Sequence, residues 1–243
     1  LDLQFLNRRD VMSKTVKAYH PMEMAFHKHM LHLVVLLVIT GLPFFSKSFS
    51  FIAYGVGYPI SEFLGNSEPL SSGLAVFRVV HWCCGFLLAV FSLLFLFAML
   101  MKIKRLSIWP DKWGIGAVFE GIKEMRRHYL DNKPANFGKM NIGQKASAWV
   151  MFLMMASLIV SGVLLVLRNI DADFMLSSTS LLVRNIHTVS FTVLVCVVAI
   201  HMFFALLPSN EKAFKAMFQT GEMDLEHVKS HHPLWYKKLM KMG

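Results

Sequence analysis

Four stretches of the chain, residues 29–46, 79–101, 146–167 and 185–210, contain no Asp, Glu, Lys or Arg and are apolar almost throughout. Each is as long as a bilayer crossing or close to it. A lone strand in lipid would leave its amides unpaired, and these segments exceed the length of barrel strands, so each is expected to be a helix. The pattern predicts an all-α fold, an integral membrane four-helix bundle forming a single domain over residues 1–243. Its helices are placed at approximately 27–46, 76–101, 146–167 and 185–208, with short N- and C-terminal extensions. Pro43, Pro208 and the Gly-, Ser- and Tyr-containing stretch 55–73 mark ends, and Trp82 and Trp149 sit where interfacial aromatics are common. A short helix is expected around 115–129 and a surface helix at 211–219.

Composition agrees with this reading: of 243 residues 55% are hydrophobic and 16% charged, and the mean hydropathy is +0.50. The net charge of +10 could suggest a nucleic-acid partner. Its distribution excludes one. Residues 1–28, 102–145 and 211–243 carry 21 Lys and Arg against 11 Asp and Glu, whereas 47–78 and 168–184 carry 4 of each. The excess lies on one side of a four-crossing chain, so the positive-inside rule places both termini in the cytoplasm. The first 25 residues hold Asp2, Arg8, Arg9, Asp10, Lys14, Lys17 and Glu23 without a continuous apolar core, unlike a cleavable signal peptide, so the first segment is expected to be retained. Cys83, Cys84 and Cys196 lie in apolar segments with no zinc or thioredoxin spacing and read as packing residues.

Histidine is the anomaly. His27, His29, His32, His81, His187 and His201 fall in or at the mouths of the apolar segments. An imidazole in hydrocarbon must pair its ring nitrogens or carry a desolvation cost, so such residues commonly face a cofactor, an ion path or one another. His187 and His201 are 14 residues apart, close to four turns, so they share a face about 21 Å apart in depth. His81 lies at the outer mouth of the second segment and His27 at the inner mouth of the first. Two levels result, His81 with His187 outside and His27 with His201 inside. Facing imidazoles at two levels are what two six-coordinate b-type haems require. No C-x-x-C-H string is present, so the haems would be non-covalent. His32 competes with His27, from which it is rotated by about 140°, while His29, at about 200°, reads as interfacial.

Arg78 and Arg184 each precede a histidine by three residues and share its helix face, where haem propionates would welcome a cation; anchoring in headgroups is the alternative. Gly41, Gly85 and Gly162 would give a macrocycle room, or only let helices approach.

This histidine pattern, the loop string GKMNIGQK at 138–145 and the tail string HHPLWYKK at 231–238 resemble the gamma subunit of membrane-bound formate dehydrogenase and related hydrogenase and thiosulfate reductase cytochrome b subunits. The likeness spans most of residues 20–240. It implies a di-haem cytochrome b in a bacterial or archaeal cytoplasmic membrane, with bis-histidine ligation by His81 with His187 on the periplasmic side and by His27 with His201 on the cytoplasmic side. It further implies a menaquinone or ubiquinone site beside the inner haem, where Asn141 and Gln144 match the family's loop; an amide-rich turn capping the third helix is the alternative role for these two residues. The implied partners are a periplasmic iron–sulfur subunit of beta type, its catalytic subunit, quinone and the lipid bilayer, in a complex that could form a higher oligomer. Two departures point to an altered outer partner: residues 46–76 look longer than in those relatives, and Trp82 stands where they tend to have proline.

Two other readings compete. A histidine-lined transporter or metal permease would bury carboxylates or broken helices in the membrane, and the four segments contain no carboxylate. The same cytochrome could run in reverse for a thiosulfate-type reductase. His128, His227, His231 and His232 are read as solvated or structural.

Overall fold

The computed structural model describes residues 15–101, 107–110, 112–131, 133–134 and 136–242. Most of the N-terminal charges behind the signal-peptide argument lie outside the described residues. Of the described residues 81% are helical, and among them four helices are long and apolar enough to cross a membrane: α1 (Pro21–Phe45), α3 (Pro69–Leu100), α5 (Ile142–Ile170) and α6 (Ser177–Ala205). The others are α2 (Ser50–Leu64), α4 (Ile115–Tyr129), α7 (Glu211–Lys215), α8 (Leu225–His231) and α9 (Pro233–Met242). The spanning helices begin earlier than the apolar segments do, because helical hydrogen bonding continues past the hydrocarbon into polar flanks such as Ser177–Ser180.

By internal contacts the chain divides into two compact units, Phe26–Met101 with Leu153–Val195, and Leu1–Ala25, Lys102–Phe152 and Cys196–Gly243. In the first unit, Met30 and Leu33 of α1 bury against Cys84 and Leu88 of α3, with Met155 and Ile159 of α5 packed beside them. Phe45 of α1 meets Phe191 of α6 at 5.5 Å between ring centroids. The polar ladder Ser157–Ser190, 2.8 Å between hydroxyls, joins α5 to α6. Large apolar side chains such as Phe86, Leu93, Phe97, Val160 and Val189 remain exposed, as a surface solvated by lipid requires.

Among the elements that the sequence pattern did not predict is α2. Residues 50–64, expected as part of an outer loop, form a helix packed along the start of α3. Its closest approach is at Gly57, where a Cβ would overlap the Pro69 carbonyl, and at Gly73 of α3, where a Cβ would overlap the Ala53 carbonyl. With 32 residues, α3 is about 48 Å long, well over the ~30 Å of a hydrocarbon core. The excess is the part that α2 covers.

In the second unit, β1 (Thr15–Lys17) pairs antiparallel with β2 (Glu222–Asp224), Val16 opposite Met223. This two-stranded ribbon is a small addition to the expected all-α fold. Around it Val16, Ala18, Ala216, Met223 and Val228 form a buried cluster edged by Tyr19, Trp235, Tyr236 and Leu239. The helix expected around 115–129 is α4; the expected surface helix at 211–219 is α7 followed by a π-helical turn, Ala216–Thr220.

Candidate functional site

The imidazoles of His81 on α3 and His187 on α6 face each other in the first unit, their ring centroids 6.4 Å apart and their planes at 65°. Each is held by a hydroxyl from a neighbouring helix. His81 Nδ1 lies 2.9 Å from Thr40 Oγ1, and His187 Nδ1 lies 2.8 Å from Ser161 Oγ. The hydroxyl protons are already committed, since Thr40 donates to the Leu36 carbonyl at 2.8 Å and Ser161 donates to the Ser157 carbonyl at 2.6 Å. Each hydroxyl oxygen therefore accepts from Nδ1–H. That fixes the tautomer and leaves both Nε2 lone pairs free.

Each hydroxyl is followed by a glycine that lets its helix lie against the ring. A Cβ on Gly41 would come 3.3 Å from His81 Cε1, and a Cβ on Gly162 would come 3.4 Å from His187 Cε1. These glycines thus seat the imidazoles. Beside Gly85, one turn after His81, no atom lies within 4 Å of a built Cβ.

These residues suit a haem. Two metal–nitrogen bonds of about 2.0 Å, plus a ring radius of about 1.1 Å on either side, would put the centroids of two imidazole ligands on one iron at about 6.2 Å. The observed spacing matches. Among the described residues no group of three or more His, Cys, Asp or Glu side chains could hold a metal ion. A facing pair suits an iron that brings its remaining four ligands in a macrocycle.

The other expected site residues divide by burial. Arg78 and Arg184 are exposed, as are His29 and His32, while His27 and His201 are half-buried. His29 stacks on Phe91 at 5.8 Å between ring centroids. His27 belongs to the first unit and His201 to the second.

In the second unit, Asn141 and Gln144 form a reciprocal cap at the start of α5. The Asn141 backbone N–H donates to Gln144 Oε1 at 2.9 Å, and the Gln144 N–H donates to Asn141 Oδ1 at 2.9 Å, a capping box with asparagine in the serine position. Both also line a cleft with His128, Tyr129, Asn210, His231 and His232. Its interior is small, about 10 Å³, room for one water. Tyr129 Oη lies 3.3 Å from the side-chain nitrogens of both Asn141 and Asn210.

The loop at 138–145 and the tail at 231–238 are one substructure. His232 Nδ1–H donates to the Gly138 carbonyl at 2.8 Å. Lys139 Nζ lies 4.8 Å from the Tyr19 ring centroid and 5.7 Å from that of Trp235, and donates to the Ala18 carbonyl. Burial holds the Lys139 ammonium below the usual lysine range and, with Glu23 adding to the effect, pushes the Tyr19 phenol up to about 12. His227 stacks on His231 at 4.1 Å and His231 meets His128 at 5.8 Å, centroid to centroid. Burial first, then the neighbouring His231, His232 and Lys212, lowers His227 to about 4. His128 and His232 are lowered mainly by burial as well. The four histidines read as solvated or structural are therefore gathered into a cluster, three of them lining the cleft.

Sequence reasoning did not find Thr40 and Ser161. The available signal was a hydroxyl residue directly before a glycine, Thr40-Gly41 and Ser161-Gly162, in two otherwise apolar segments.

Comparison with known proteins points the same way. The family model described as prokaryotic cytochrome b561 matches residues 18–220. The nitrate-inducible formate dehydrogenase cytochrome b556(Fdn) subunit of Escherichia coli (strain K12) is 25% identical over 206 residues, covering 85% of this chain and 83% of its own. A formate dehydrogenase cytochrome b556 subunit of Haemophilus influenzae is 24% identical over 202 residues, covering 83% and 74%. With four helices long and apolar enough to cross a membrane and a family model that matches most of its length, the chain belongs to the prokaryotic cytochrome b561 family.

Proposed function

We propose that this chain is the membrane anchor and electron-carrying subunit of a respiratory oxidoreductase, taking electrons from an iron–sulfur partner on the outer side and delivering them to quinone near the inner side. The carrying observation is the His81–His187 pair, spaced for one iron, each imidazole held at Nδ1 by a hydroxyl so that Nε2 is left to bind it. These two would hold the outer haem b, and His27 with His201 the inner one; the half-buried state of His27 beside the exposed His29 and His32 favours it as the ligand from α1. When bound, haem supplies reversible one-electron chemistry at its iron.

The residues do the positioning. Thr40 and Ser161 orient the imidazoles, Gly41 and Gly162 let the helices close on them, and the spanning helices exclude water from the path. Asn141 and Gln144 lie at the start of α5, where their amides suit quinone oxygens. The charge asymmetry supports cytoplasmic termini and, with them, a loop on the proton-supplying side. Quinone reduced there would take its protons from the cytoplasm, while inward electron movement costs about 2.3 kcal/mol per charge per 100 mV. The relatives named as formate dehydrogenase subunits support a periplasmic catalytic subunit with an iron–sulfur partner.

Haem stoichiometry tests the reading. His81→Ala and His187→Ala are each expected to lose one haem, the same one, and His201→Ala the other. Two haems per chain in all three variants would refute the pairing.

A further inference from the structure

We infer that Arg168 supplies the cation that receives a propionate of the haem held between His81 and His187, an inference that rests on the ligation proposed above. Among the described residues, two buried side-chain polar atoms have no hydrogen-bond partner, Ser92 Oγ and Arg168 Nη1. A guanidinium stays charged at any physiological pH, and a buried donor without an acceptor is costly to keep. The nearest carboxylates along the chain do not relieve it: Asp171 and Asp173 are exposed, and Asp171 Oδ1 accepts from the Asp173 backbone N–H at 2.9 Å.

The register of α5 says what the orphaned donor faces. Arg168 follows Ser161 by seven residues, two turns, which returns it to the same face about 10.5 Å further along the helix. That face is oriented by the Ser161–His187 hydrogen bond, so Arg168 stands on the imidazole side of α5, toward its C-terminal end. An anionic arm reaching from the edge of a macrocycle seated on His187 would meet the orphaned Nη1 donor there. Arg78 and Arg184 are exposed and can be satisfied by water or headgroups.

The test uses the haem-loaded protein, with Arg168→Gln, Arg168→Lys and, at an exposed lysine outside the spans, Lys47→Gln beside the parent and His187→Ala. Haem per chain, the rate of haem loss to apomyoglobin and the two midpoint potentials from optical redox titration are read. Arg168→Gln is expected to lower the potential of the haem that His187→Ala removes, because a cation that disfavours the oxidised iron has gone, and to speed its loss; the other haem and Lys47→Gln stay at parental values. Arg168→Lys, which keeps the charge without the fork, is expected to retain the potential but lose haem faster. Parental potentials and loss rates in Arg168→Gln overturn the inference, as does a parental loss rate in Arg168→Lys should the glutamine variant fail to accumulate. Retention of both haems in His187→Ala instead removes the ligation reading itself.

Discussion

Thr40 and Ser161 stand in the same relation to two different histidines: each donates its hydroxyl proton to a carbonyl one turn back in its own helix and accepts Nδ1–H from an imidazole on another. An acceptor behind a ligating imidazole raises the ligand's basicity and stabilises the oxidised metal. Thr40→Val and Ser161→Ala are therefore expected to raise the midpoint potential of the haem tied to His81 and His187, with Thr40→Ser and Ser161→Thr close to parent. Redox titration with low-temperature electron paramagnetic resonance reads the change. Equal potentials in all four variants would show that the hydroxyls serve packing alone.

Glycine at the α2–α3 crossing admits no side chain. Gly57→Leu or Gly73→Leu must push the two helices apart, at a cost of about 1–3 kcal/mol or more. Thermal unfolding of the purified protein in detergent measures that loss, while haem content stays near parental because the crossing lies away from His81 and His187. If the complex with the external subunits dissociates in these variants while the haems persist, α2 carries the docking surface.

The capping box gives Gln144 a structural duty that can be separated from a quinone duty. Gln144→Ala is expected to cost about 1 kcal/mol through the lost cap, and Gln144→Glu to keep the cap because the carboxylate still accepts from the Asn141 N–H. A quinone contact predicts that both variants slow haem reoxidation by a quinone analogue, whereas a capping role alone predicts slowing in neither.

Acid should destabilise the second unit. His227 is held at about 4 in the folded chain against an ordinary value near 6.5. Its native state thus binds fewer protons than its unfolded state between those values, and stability contributed above about pH 6.5 is lost as pH falls toward about 4. His128 and His232 shift in the same direction. Unfolding midpoints recorded from pH 7.5 to 4.5 are expected to fall, and His227→Phe to flatten the slope; an unchanged slope would remove His227 from the account.

The spans were legible because lipid demands an unbroken apolar run, a signal that survives whatever the helices pack against. The juxtaposition of His81 and His187 was legible for a related reason, since imidazole is costly in hydrocarbon and its spacing reports a helix face. Helix α2 was hidden by Gly55, Gly57, Gly65 and Pro59, which read as loop-formers; Gly57 is there for contact and Pro59 is accommodated within the helix. Thr40 and Ser161 were hidden because a hydroxyl in an apolar helix commonly bonds to the carbonyl one turn back, and no local pattern reveals that its oxygen also serves a ring on another helix. The capping and quinone roles of Asn141 and Gln144 share the same amides, so the sequence alone favoured neither.

The ribbon of Val16 and Met223, with Lys139 seated between Tyr19 and Trp235, ties together stretches separated by most of the chain's length. Contacts of such sequence separation form late, because closing a long loop precedes any reward. The second unit can be completed only after Trp235 has left the ribosome, when all four spans have already been synthesised. Insertion and haem loading can thus run ahead of this last closure, and a truncation before Met223 would leave the spans made but the ribbon, the lysine sandwich and the histidine cluster unbuilt.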